Sequence, residues 1–170
     1  MKKFLFRQIL LFVLLVFLQV WLFNNIHLFG FATPLLYIYF LIKLPVNSNR
    51  NTVLLLSALL GFFIDIFEYT WGLNMFAMTV TAFLRYFFLK LFAPRDIFDE
   101  YIPSFKTFGK QMFIRYAGIL TLVHILILFT TESLSLFDPL RLCLRIAGSY
   151  ILTILLIFAL DSLNFESLKK

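Results

Sequence analysis

The stretch Val53-Leu54-Leu55-Leu56-Ser57-Ala58-Leu59-Leu60-Gly61-Phe62-Phe63-Ile64-Asp65-Ile66-Phe67 is apolar except for one serine and one carboxylate. Ser57, Gly61 and Asp65 recur every four residues, so a helix puts two small residues and one acid on a single face. Such a face packs against another helix, because small residues admit a close backbone and a carboxylate turned to lipid is costly. The run is bounded by the polar linker Pro45-Val46-Asn47-Ser48-Asn49-Arg50-Asn51 and the tight turn Glu68-Tyr69-Thr70-Trp71-Gly72. A second apolar run follows the turn, from about Leu73 to Phe92, and predicts a helical hairpin.

The rest of the 170-residue chain has the same character: 62% hydrophobic, 14% charged, mean hydropathy +0.94, with 24 Phe. A water-soluble domain this short could not bury that much apolar surface. At roughly 20 residues per span there is room for about five or six transmembrane helices and short loops, and none for a separate soluble catalytic domain. Cys143 is the single cysteine, which excludes a disulfide-stapled scaffold within the chain. The net charge of +6 is spread in small groups between apolar runs. It reads as loop charge that orients a membrane protein, and not as a nucleic-acid-binding face.

Six spans in one membrane domain, residues 1–170, are predicted: about 4–23, 29–44, 53–67, 73–92, 112–129 and 140–160. The opening Met1-Lys2-Lys3-Phe4-Leu5-Phe6-Arg7 resembles a signal peptide's charged start, but the apolar run is too long and no small-x-small cleavage site follows, so it reads as an uncleaved span. Gln8 and Gln19, with Phe12 and Leu15 between them at helical spacing, mark a stripe of this helix that faces protein. Asn24-Asn25-Ile26-His27 breaks the run, and Thr33-Pro34 reads as the N-cap and first residue of the second helix. From Pro34 to Leu44 a helix covers only about 16 Å, so this span is short or broken and recruits 29–33 as irregular backbone sheltered by its neighbours. In the second half of the longest polar stretch, Ala93 to Gln111, the spacing of Ile102, Phe105, Phe108 and Met112 predicts an amphipathic interfacial helix running into the fifth span.

Charge fixes the topology of this arrangement. Lys2, Lys3, Arg7, Lys43, Arg50, Lys90, Arg95, Lys106, Lys110, Arg115, Lys169 and Lys170 fall on one side, and only Arg141 and Arg145 enter from the other. The positive-inside rule then puts both termini in the cytoplasm. A five-span alternative with a re-entrant second segment would send Lys106, Lys110 and Arg115 outside. Trp21 and Trp71 sit at outer span ends as interface anchors.

No His-Glu-x-x-His, phosphate-cradling Gly-rich loop, Gly-x-Ser-x-Gly or Cys-x-x-Cys occurs, so no catalytic, cofactor or metal site is assigned and the chain reads as non-enzymatic. The informative signal is polarity inside the membrane: Asp65, Arg85, His124 and Arg145. Asn74, Met78, Thr81 and Arg85 share a face of the fourth span, Ala117, Thr121, His124 and Leu128 of the fifth, and Arg141, Arg145, Ser149 and Thr153 of the sixth. Depth arithmetic puts Asp65 and His124 roughly 18 Å in and Arg145 at about 22 Å, which gives Asp65 two candidate partners, Arg145 and His124; an Asp65–Arg145 pair, with or without His124, is expected to fix helix registry. Arg85 is expected to snorkel toward the cytoplasm past Lys90.

Pro34 to Pro45, then Leu60-Gly61-Phe62-Phe63-Ile64-Asp65-Ile66-Phe67, the turn to Gly72-Leu73, and Ala82-Phe83-Leu84-Arg85 resemble the bacterial rod shape-determining protein MreD family. The family pattern has a proline-started second helix, a Gly-x-x-x-Asp third helix, a glycine turn and an amphipathic fourth helix, and Pro34, Gly61, Asp65 and Gly72 occupy those positions. The resemblance implies a multi-pass inner-membrane component of the elongation machinery that builds lateral cell-wall peptidoglycan. It further implies binding to the single-pass protein MreC and coupling of actin-like MreB filaments to RodA and a class B penicillin-binding protein. The implied fold is similar to the six-helix substrate-binding subunits of vitamin transporters.

Two functions follow as expectations. In the first, the protein is an assembly scaffold whose helix faces and outer loops, Asn24 to Thr33 and Thr130 to Asp138, hold a partner's transmembrane helix while Ala93 to Gln111 meets cytoplasmic proteins. In the second, it is a transporter subunit that captures a small solute on Asp65, Asn74, His124 and Arg145. The outer loops are short and largely apolar, which favours the scaffold.

Overall fold

The computed structural model describes residues 2–23, 32–92, 102–133 and 138–167, with side chains described over 6–23, 32–92, 102–133 and 138–162. Every long element is a helix: α1 (Lys2–Leu18), α2 (Ile38–Ile42), α3 (Arg50–Glu68), α4 (Leu73–Phe92), α5 (Lys110–Glu132) and α6 (Pro139–Ser167). Five stretches, Phe6–Phe23, Arg50–Glu68, Leu73–Phe92, Lys110–Glu132 and Pro139–Ser162, are long and apolar enough to cross a membrane. Their exposed faces carry Leu14, Phe17, Leu55, Phe62, Phe87, Leu126, Ile151 and Leu155, a surface that water would not tolerate and lipid does. The protein is an all-helical, multi-pass membrane protein.

The expected second transmembrane helix is corrected by the structure: α2 has only five residues, and the chain before it, from Ala32 through Leu36, is not helical. Thr33 and Pro34 therefore do not start a helix. Proline suits its position for a different reason, since it has no N–H and removes one donor from a buried coil that has no ladder to satisfy it. Every residue from Ala32 to Pro45 is buried.

This second segment nevertheless traverses the bundle. Near its start it is bonded to Gln19 of α1 and Ser149 of α6, and near its end to Gln8 and Asp161 of the same helices. Those pairs are separated by roughly 16 to 18 Å along each helix, at 1.5 Å per residue. Among the described residues the chain thus runs along the bundle five times as a long helix and once as a short, broken strap. One end of the bundle, here the basic end, gathers Gln8, Lys43, Asp161 and the turns of 102–109. The other, the hairpin end, carries the α3–α4 turn. Exposed Arg7, Arg50, Lys90, Lys106, Lys110 and Arg115 rim the basic end.

Local sequence explains the helix boundaries. The Asn49 side chain accepts the Asn51 N–H at the start of α3, and Tyr69 in the left-handed region (φ 55°) ends it. Gly72 (φ 79°) turns the chain into α4. At the basic end the Arg50 guanidinium lies 4.4 Å from the Phe83 ring, tying α3 to α4.

The expected amphipathic helix before α5 is also corrected. The residues preceding it, 93–101, lie outside the described residues, and 102–109, where it was expected, forms turns. Gly109 at φ 75° cannot continue a right-handed helix, so α5 starts at Lys110, while Phe105 and Phe108 fold inward onto Phe113 and Tyr116.

Candidate functional site

The polar residues of the bundle interior converge on the strap. α1 runs into a single π turn, Gln19–Phe23, and Gln19 at its start is buried. Its amide donates to the Pro34 carbonyl (3.1 Å) and accepts the Leu36 N–H (2.9 Å). From the opposite side Ser149 accepts the Thr33 N–H and Thr153 the Leu35 N–H, each at 3.0 Å. Non-helical backbone survives at membrane depth only where protein replaces the missing hydrogen bonds, and these three side chains do so.

The strap's other end is held by charge. Lys43 is buried, and its ammonium pairs with Asp161 and donates to the Pro103 carbonyl (2.8 Å), while the second Asp161 oxygen accepts the Phe105 N–H (2.8 Å). One ion pair thereby joins the strap, α6 and the turn before α5. Arg85 on α4 donates to the carbonyls of Leu44 (2.5 Å) and Pro45 (3.2 Å) and to the Tyr116 hydroxyl (3.1 Å). Arg85 is buried, so the expectation that it snorkels past Lys90 is corrected: its guanidinium closes the end of α2, where unpaired carbonyls offer it partners.

A third cluster sits toward the hairpin end. Asp65 accepts the backbone N–H groups of Asn74 (3.0 Å) and Met75 (2.8 Å), the Asn74 amide (3.0 Å) and the Thr70 hydroxyl. The Asn74 amide also faces Glu68 (3.2 Å) and Thr70 (3.2 Å), and its oxygen accepts from the Tyr37 hydroxyl (2.7 Å). Tyr37 in turn meets His124 Nε2 at 2.8 Å, and His124 Nδ1 lies 3.3 Å from the Thr81 hydroxyl.

The expected Asp65–Arg145 pair is overturned. Asp65 is consumed in capping α4, where the exposed N–H groups and the helix dipole attract an anion. Arg145 pairs with Glu132 at 2.9 Å and stacks over Phe129 (4.5 Å), half-exposed at the joint between α5 and α6. His124 does not meet Asp65 directly; Tyr37 and Asn74 stand between them.

The remaining expected residues take structural positions. A Cβ added at Gly61 would lie 2.5 Å from Met75 Cα and 2.6 Å from the Asn74 carbonyl oxygen, so the α3 and α4 backbones touch there. Ser57, on the same face, is buried with no hydrogen-bond partner among the described residues. The outer loop residues 24–31 and 134–137 lie outside the described residues, and so does His27.

Tyr37, Lys43 and Asp161 escaped the sequence reading. Lys43 and Asp161 look like loop and tail charges in a hydropathy profile, and nothing local marks them as a pair 118 positions apart. Among the described residues no three His, Cys, Asp or Glu side chains group to hold a metal ion. Comparison with protein-family models, curated proteins and solved structures finds no match to this chain.

Proposed function

We propose that the protein is a non-enzymatic inner-membrane scaffold of the rod-shape elongation machinery, with both termini in the cytoplasm. In this reading its outward helix faces bind a single-pass, MreC-like partner and help couple MreB filaments to RodA and a class B penicillin-binding protein. The observation that carries the scaffold reading is where the interior polarity goes. Gln19, Ser149, Thr153, Arg85 and Lys43 hold the strap, and Asp65, Asn74, Tyr37 and His124 hold one another.

A solute captured on Asp65, Asn74 and His124 would have to displace bonds that keep the bundle together, and Arg145 is engaged elsewhere with Glu132. Interior chemistry of this kind makes a rigid body, and recognition is left to the outer surface. The resemblance to the MreD pattern adds the cellular context. Its Gly61, Asp65 and Gly72 are the residues that build the α3–α4 hairpin, and Pro34 lies in the strap.

Depletion in a rod-shaped host tests the proposal. Rods that turn round, together with recovery of a stoichiometric single-span partner in mild detergent, support it. Unchanged rods, or recovery of a bound small molecule with an ATPase module, contradict it.

A further inference from the structure

We infer that the α3–α4 hairpin carries a site for an anionic phospholipid at its basic end, the lipid phosphate held by Arg50 and Lys90 and an acyl chain laid along Phe83 and Phe76. The site goes beyond the scaffold reading and does not rest on it. The placement of the Arg50 side chain carries the argument. Arg50 is the first residue of α3, where an arginine at the end of a membrane helix ordinarily extends outward to water. Here it turns inward. Gly61 meets Met75 in the antiparallel hairpin, which sets the Arg50 backbone level with Tyr86, yet the guanidinium lies 4.4 Å from the Phe83 ring and 5.9 Å from the Tyr86 ring.

Aromatic rings attract a guanidinium as a cation and leave its N–H groups unserved. Those groups point out in the guanidinium plane, and they need acceptors. Arg50 is exposed, and among the described residues no hydrogen bond or ion pair reaches its guanidinium; the two ion pairs there join Lys43 to Asp161 and Arg145 to Glu132. On a lipid-facing surface the acceptor at hand is the headgroup phosphate, whose free oxygens match the arginine fork.

The neighbouring positions extend the site in both directions. Phe76, Phe83 and Lys90 recur every seven residues and so share one stripe of α4, and all three are exposed. A phosphate on Arg50 therefore has Lys90 on its outer side, and a chain running inward from it has two exposed rings to lie on. The acids of the hairpin, Asp65 and Glu68, are at its far end, so neither helix offers a carboxylate here to receive an ammonium headgroup. Two cations without an acid select phosphatidylglycerol, which carries net negative charge, over zwitterionic phosphatidylethanolamine.

Native mass spectrometry of the full chain in mild detergent tests this, with equimolar phosphatidylglycerol and phosphatidylethanolamine of identical acyl chains added together. The first lipid bound is expected to be phosphatidylglycerol by at least about fivefold. Arg50→Gln is expected to remove most of that preference. Arg115→Gln, on the same exposed rim but with no ring beneath it among the described residues, is expected to leave it intact. Equal binding of the two lipids by the unsubstituted protein overturns the proposal, even if a variant fails to fold. An equal loss in both variants, or glycerol phosphate without acyl chains displacing the bound lipid, overturns it as well.

Discussion

The Asp65 carboxylate reaches back across the α3–α4 turn and accepts the N–H groups of Asn74 and Met75, the second and third residues of α4. It performs an N-cap's task from the preceding helix, and Gly61, one turn away, lets the two backbones approach closely enough for this. Asp65→Ala leaves buried donors unpaired and is expected to lower stability by about 2 kcal/mol or more. Unfolding in mixed SDS micelles measures it. A double-mutant cycle with Arg145→Ala is expected to show no coupling, since Arg145 lies on Glu132 instead.

Glycine positions separate by what surrounds them. Gly61→Ala drives a Cβ into the Met75 backbone, which cannot yield as a side-chain tip can, and a loss of about 1–3 kcal/mol is expected. Gly118→Ala meets only the Tyr150 hydroxyl at 3.1 Å, the far end of a movable side chain, and is expected to change stability by less than about 1 kcal/mol. The same unfolding measurement ranks the two.

The Lys43–Asp161 pair is buried, so removing one partner strands a charge. Lys43→Met or Asp161→Leu alone is expected to cost about 3–5 kcal/mol. The double variant is expected to cost clearly less than the sum, retaining the loss from the unpaired Pro103 carbonyl and Phe105 N–H, about 1–3 kcal/mol each. Strict additivity would mean the pair does not act as a unit.

Gln19 serves a stretch of chain that has no regular ladder. Gln19→Leu keeps the helix and the volume but leaves the Leu36 N–H and Pro34 carbonyl without partners. Amide exchange at Leu36 is expected to accelerate at least tenfold, while the buried Ile64 of α3 stays unchanged. Thr153→Val should do the same at Leu35.

Much of the hairpin was legible because its signals are local. The four-residue period of Ser57, Gly61 and Asp65, and the polar faces of α4 and α5, all end up buried as their spacing implies. Pro34 and the short run to Leu44 also announced a broken segment. What could not be read was which atoms would pair. Depth arithmetic finds charged partners for Asp65, whereas its actual partners are mainly backbone N–H groups and an amide, which carry no charge to count. Lys43 and Asp161 were hidden because a turn at 102–109 folds back over them and takes them out of water. The spacing of Ile102, Phe105 and Phe108 was apolar for that covering role and not for a helix, which Gly109 forbids.

If the strap passes through the membrane as it passes through the bundle, the chain returns to its starting side before α3 begins. Single-cysteine labelling in intact membranes, with Cys143→Ser as background, measures this directly through sites at Lys3, Lys106 and Tyr69. Modification of Lys3→Cys and Lys106→Cys from one face and Tyr69→Cys from the opposite face is the predicted result. Lys106→Cys and Tyr69→Cys reacting from the same face would contradict it.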